Sequence, residues 1–338
     1  MRVIKIKYLI ILIITTFFAF MLVSKSFPKE KYGVYIGYPT GYISEFNNAH
    51  SLLLNEKNEI ITRFGGRNAT TGQLGHGVQN SSNELTEIPS KIKVMWFSIP
   101  ENQFWHGEFE LPKNELNRLL NGQKILDLFL SRQGQHIDKY RQIIVNVAPK
   151  GKVYIYVGGA ATQLVGTYQA KAEDYDWEQH AHDTWWITSD SVIDTREEYL
   201  AAMIKDDEEI IKNQYQYYSE EYFRPVSWTL SMKGEAELLA YVTDTLNGEN
   251  VNVLLDPTKE VMRSLPKEIA FDFVYDKKVR RLNIIFNKPY EFFKEHFEFR
   301  TKFKIIMEMP NPKELNVYFQ QGEKIVEFKD IEVEEYDR

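Results

Sequence analysis

The sequence predicts an α+β protein: an N-terminal membrane anchor followed by two tandem, related β-rich domains, each built from antiparallel hairpins plus a helix. Three observations carry that expectation. Residues 8–23, YLIILIITTFFAFMLV, form an uncharged apolar run. The stretch from Ile88 to Leu120 matches the stretch from Leu265 to Phe297 without a gap. Short segments alternate apolar and polar residues between turn-forming clusters, the period of half-buried strands.

The anchor comes first. Arg2, Lys5 and Lys7 precede the apolar run, and basic residues on that side favour its staying inside while the rest crosses the membrane. Sixteen residues fall short of the roughly 20 that span a hydrocarbon core, but Ile4 and Ile6 extend the run while the lysines snorkel. No good small-residue cleavage site follows, so residues 1–31 read as a signal anchor that leaves the body in the periplasm. The alternative is a signal peptide whose removal leaves a soluble periplasmic body. Residues 1–31 hold six Lys/Arg and one acid; with −7 on the whole chain, the body beyond them carries −12. Such a body is repelled by nucleic acid and suits a basic protein partner. The chain has no cysteine, which removes disulfides, thiolate zinc sites and cysteine nucleophiles.

The first domain is expected over 32–193. Ile92, Val94 and Trp96 alternate as a strand; Pro100-Glu101-Asn102 turns the chain; Phe104 to Leu111 returns; Pro112 opens a helix with Leu116, Leu119 and Leu120 on one side. A second hairpin runs from Ile143 to Val147 and from Val153 to Val157 through Ala148-Pro149-Lys150-Gly151. Residues 194–222 read as a long amphipathic helical linker. The second domain, 223–338, repeats the first: Pro89 corresponds to Pro266, Ile92 to Ile269, Trp96 to Phe273, Phe109 to Phe286 and Pro112 to Pro289, an offset of 177. Downstream, IIVNVAPKGKVYIYVGG from Ile143 resembles IIMEMPNPKELNVYFQQ from Ile305. Repetition of this kind reads as an internal duplication.

Candidate chemistry is sparse. The run EDYDWEQHAHD over 173–183 places His180 and His182 at alternate positions among acids. On a strand or loop both point to one side, a weak metal-binding candidate against the commoner solvated acidic loop. The glycine-rich stretch 63–77 lacks the order of a phosphate-binding loop, and no G-x-S-x-G, H-E-x-x-H or S-x-x-K set occurs. No catalytic residue, metal or cofactor is therefore assigned, and the chain reads as a non-enzymatic binding protein. Consecutive strand residues face opposite sides, so one of Trp96 and Phe97, and one of Phe104 and Trp105, must meet a second layer or a partner. Phe97 and Trp105 are the candidate partner anchors, and Asp174, Asp176, Glu178, Glu208 and Glu209 the candidate steering charges.

The segments IPSKIKVMWFSIPENQFWHGEFELP and NVAPKGKVYIYV resemble a bacterial family catalogued as domain of unknown function 2931, over about residues 32–175. The resemblance implies an exported lipoprotein or membrane-anchored protein, in some members an immunity protein against lipase-type effectors of the type VI secretion system. Without a lipid-bearing cysteine, the apolar anchor would take the lipid's place. The reading is thus a periplasm-facing immunity protein that occludes a secreted effector, or alternatively an envelope ligand-binding or assembly protein without a toxin partner.

Overall fold

A computed structural model describes residues 30–67, 72–79, 84–122, 124–127, 136–184, 195–205, 208–213, 218–253, 260–311 and 314–336. The anchor expected over 8–23 lies outside them. No helix among the described residues is long and apolar enough to cross a membrane. The chain is mostly sheet with few helices, an α+β fold.

The first half contributes β1 (Gly33–Gly37), β2 (Ser44–Phe46), β3 (Leu52–Leu54), β4 (Ile60–Arg63), β5 (Gly66–Arg67), β6 (Val78–Gln79), β7 (Lys91–Ser98), β8 (Gln103–Glu110), α1 (Lys113–Gly122), β9 (Lys124–Asp127), β10 (His136–Ala148), β11 (Lys152–Gly159), β12 (Gln163–Gln169) and β13 (Lys171–Glu173). Three short helices follow: α2 (Trp177–Asp183), α3 (Arg196–Ile204) and α4 (Glu208–Lys212). The second half holds β14 (Val226–Gly234), β15 (Glu237–Thr245), β16 (Asn250–Val253), β17 (Val261–Arg263), β18 (Pro266–Tyr275), β19 (Lys278–Phe286), α5 (Pro289–His296), β20 (Phe303–Asn311), β21 (Glu314–Gln321), β22 (Lys324–Glu327) and β23 (Ile331–Tyr336).

The two halves have the same strand order. In the first, one sheet runs β12-β11-β10-β1-β6 and the other β13-β8-β7-β2-β5. In the second, the orders are β22-β21-β20-β14-β17 and β23-β19-β18-β15-β16. In each half a single parallel pairing, β1 with β10 and β14 with β20, sits at the same place among antiparallel neighbours. Residues 177 apart bury at equivalent points: Ile92 and Ile269, Trp96 and Phe273, and the helix residues Leu116 and Phe293 lie in the cores of their own halves. The alternation of β7 and β18 drives this, because each delivers every second side chain to the space between its two sheets.

The long helix expected over 194–222 is interrupted. α3 ends at Ile204, α4 begins at Glu208, and a 3-10 turn covers Glu220–Phe223; residues 206–207 and 214–217 lie outside those described. The acidic run here opens a new helix, since Glu208 and Glu209 occupy the first turn of α4, where carboxylates complement the helix dipole.

The halves are joined by the β15–β16 turn of the second, which inserts against the first. Tyr156 Oη donates to Asn247 O at 2.5 Å, Leu164 N donates to Glu249 Oε1 at 3.2 Å, and Thr162 and Asn250 form a backbone bridge. Glu249, 5% exposed, also accepts from Arg263 Nη1 at 3.1 Å. Gly75 lies so close to this turn that a Cβ there would fall 1.9 Å from Gly248 O.

Candidate functional site: a helical roof with an acidic face

At its Phe97–Phe104 end the sheet containing β7 and β8 buries both faces. Trp96 faces the inter-sheet core, whereas Phe97 and Phe104 on the opposite face join Ile43, Met95 and Ile99 beneath a roof of α2, α3 and α4. Phe97 packs against Trp177 of α2 at 5.5 Å between ring centres, and Trp177 packs against Tyr199 of α3 at 5.2 Å. Arg196, at the start of α3, stacks its guanidinium over Phe97 at 4.9 Å and donates to Asn102 in the β7–β8 turn. The roof is thereby fixed along both helices.

These placements correct the reading of Phe97 and Trp105 as outward anchors. Phe97 is 0% exposed because the roof supplies its second layer. Trp105 is half-buried: it stacks on Trp96 at 6.4 Å and donates Nε1–H to Glu101 Oε2 at 2.9 Å. Glu101 also accepts from Tyr42 Oη at 2.7 Å and from Lys150 N at 2.7 Å. The turn glutamate thus ties the loop after β1, strand β8 and the β10–β11 turn together. Burial, then the adjacent Glu101 charge, raises the Tyr42 phenol well above its ordinary pKa.

Under the roof lies a polar cluster, buried at His180 and Glu45 and reaching the surface at Asp183. Asp176 caps α2 by accepting from Gln179 N at 2.8 Å, which sets the helix so that His180 faces the sheet with 0% exposure. His180 Nε2 points at Glu45 Oε2, 3.7 Å away on β2, and Glu45 is equally buried. Tyr199 Oη donates to the other Glu45 oxygen. Asn47 lies 3.5 Å from His180 Nδ1 and donates to Asp183 Oδ2 at 3.3 Å. Asp183 further accepts from Tyr175 Oη at 2.8 Å and Gln179 Nε2 at 2.9 Å. Burial alone would raise the Asp183 carboxyl, but these donors outweigh it and hold it below the usual carboxylate range. Its charge and burial together push the Tyr175 phenol up to about 12, burial contributing most.

The helix also separates the two histidines. Residues two apart on a helix face away from each other, so His182 is exposed while His180 is buried; the expectation that both point to one side assumed a strand or loop. Among the described residues no group of three or more His, Asp or Glu side chains is arranged to hold a metal ion.

The solvent face of the roof is acidic. Asp174, Asp176, Glu178, Glu208 and Glu209 are all exposed, as are Glu197 and Glu198. Over the described residues from Lys171 to Asn213, nine carboxylates face four Lys/Arg. Sequence reasoning found the exposed carboxylates but missed Glu45, Asn47 and Tyr199, which hold the surface in place. The Asp176-x-x-Gln179 and Thr195-x-x-Glu198 spacings are helix-start signals that would have found α2 and α3; the Thr195–Glu198 capping box is formed.

The family described as "Protein of unknown function (DUF2931)" matches residues 23–213, more than half of the chain. The chain belongs to this family. No curated protein matches it. The DUF2931 span takes in the first-half sandwich, Glu101 with its three donors, the buried His180–Glu45 cluster and all of the roof, ending just after α4. β14 to β23 fall beyond it.

Proposed function

We propose that the protein is a non-enzymatic, periplasm-facing binding protein, an immunity protein that occludes a secreted effector, with the roof of the first half as its contact surface. The observation that carries this reading is the exposed carboxylate set on helices locked to the sheet from beneath. Charges on a rigid support steer a basic partner into register without the cost of ordering a flexible segment. The same locking favours a binder over an enzyme, since His180 and Glu45, the most deeply buried titratable pair under the roof, have no exposed surface of their own for a substrate to reach. Membrane attachment through residues 8–23 belongs to this reading, as does the division into two duplicated domains, supported by the shared strand orders.

The test pairs the full chain with the product of the neighbouring gene as the candidate effector. Replacing Asp174, Asp176, Glu178, Glu208 and Glu209 with Asn or Gln slows association and flattens its salt dependence while the fold persists. Unchanged association kinetics would remove the roof from the interface.

A further inference from the structure

Away from the roof, the two halves enclose a cleft of about 560 Å³. Pro39, Thr40 and the turn Gly72–Leu74 of the first half form one wall; the β15–β16 turn and the passage from β19 into α5 form the other. Its volume falls within the roughly 300–1,000 Å³ of small-molecule sites, which favour junctions between domains. Pro39, Leu74, Phe286 and Tyr290 give it a buried apolar lining.

The polar part of the lining has the opposite sign to the body. Lys267 and Lys288 both border the cleft, against Glu291 as its one carboxylate. Among the described residues neither ammonium group has an ion-pair or hydrogen-bond partner. Lys288 moreover sits in the left-handed backbone region, φ 50° and ψ 49°, directly before Pro289. That conformation is unfavourable for a residue with a side chain, and a preceding-proline position restricts it further. The fold therefore holds a lysine at the cleft's edge where glycine or asparagine would fit with less strain.

We propose that this cleft binds a small organic anion, a carboxylate or phosphate on a compact apolar body, with Lys267 and Lys288 holding the charged group and the apolar lining the rest. The site is independent of the roof and of any protein partner. Because such a ligand would touch both halves, its binding would also stabilise their association by mass action.

The test is calorimetry on the full chain with 4-phenylbutyrate and phenyl phosphate as probes and the uncharged 4-phenylbutanamide as comparison. At least one anion binds one to one, tenfold or more tighter than the amide, and which one binds separates a carboxylate site from a phosphate site. The double variant Lys267→Gln/Lys288→Gln loses at least tenfold, Lys267→Arg/Lys288→Arg restores binding, and Lys278→Gln at the far end of β19 changes nothing. Both lysines are exposed, so thermal unfolding of the variants matches that of the unaltered protein. Failure of both anions to bind at millimolar concentration, equal binding of the amide, or binding indifferent to the Gln pair overturns the proposal.

Discussion

His180 of α2 and Glu45 of β2 face each other at 3.7 Å with neither side chain exposed, and neither facing atom has a hydrogen-bond partner among the described residues. The contact is longer than a hydrogen bond, so the polar link between roof and sheet here is the donation from Tyr199 Oη to Glu45, with His180 packed beside it against Phe104. Glu45→Ala leaves Tyr199 Oη without an acceptor and removes the carboxylate that faces His180 Nε2. The expected loss is about 1–3 kcal/mol per orphaned group at most, seen in chemical unfolding together with faster amide exchange in α2 and α3. Exchange that stays slow in both helices would show that apolar contacts alone hold the roof.

Acid acts on the same region through Asp183. Its carboxyl pKa is lowered in the folded chain, so its contribution to stability is complete above the ordinary aspartate value near 4 and is lost as pH falls below it. Asp183→Asn removes that contribution. Unfolding measured from pH 2 to 7 should show a shallower acid limb for the variant, and identical limbs would contradict the assignment.

The turn glutamate Glu101 predicts a second local effect. Glu101→Ala deprives Tyr42 Oη and Trp105 Nε1 of their common acceptor. Stability should drop by about 1–3 kcal/mol, with a change in tryptophan fluorescence as Trp105 loosens from Trp96. Glu101→Gln, which keeps one acceptor oxygen, should lose less.

Coupling of the halves rests on close backbone approach. Gly75, at φ +75°, cannot take a Cβ without collision with Gly248 O. Gly75→Ala is expected to separate one thermal transition into two as the halves lose their contact, whereas a single transition would place the coupling elsewhere.

The strands and α1 were legible because their signals are local. Ile92, Val94 and Trp96 alternate whatever lies above them, and Pro112 marks a helix start by its own ring geometry. The roof was not legible in the same way. Phe97 looks like an exposed aromatic until α2 and α3, 80 to about 100 residues later, are known to cover it, and that is a tertiary contact without a sequence period. EDYDWEQHAHD carries little apolar periodicity, so in sequence His180 reads as part of a strand or loop; its helix is set by the Asp176 cap and by Trp177 and His180 docking on the sheet. Glu45 sits in a three-residue strand, too short to show alternation.

The central claim, binding by occlusion, is tested most directly by calorimetric titration of the neighbouring gene's product, the candidate effector, into the full chain, with its activity followed in the same mixtures. Occlusion predicts a fixed stoichiometry and protection that ends at equivalence, because each copy of a binder without turnover protects a set number of effector molecules. Protection by substoichiometric amounts, or chemical alteration of the effector or of its lipid product, would contradict it.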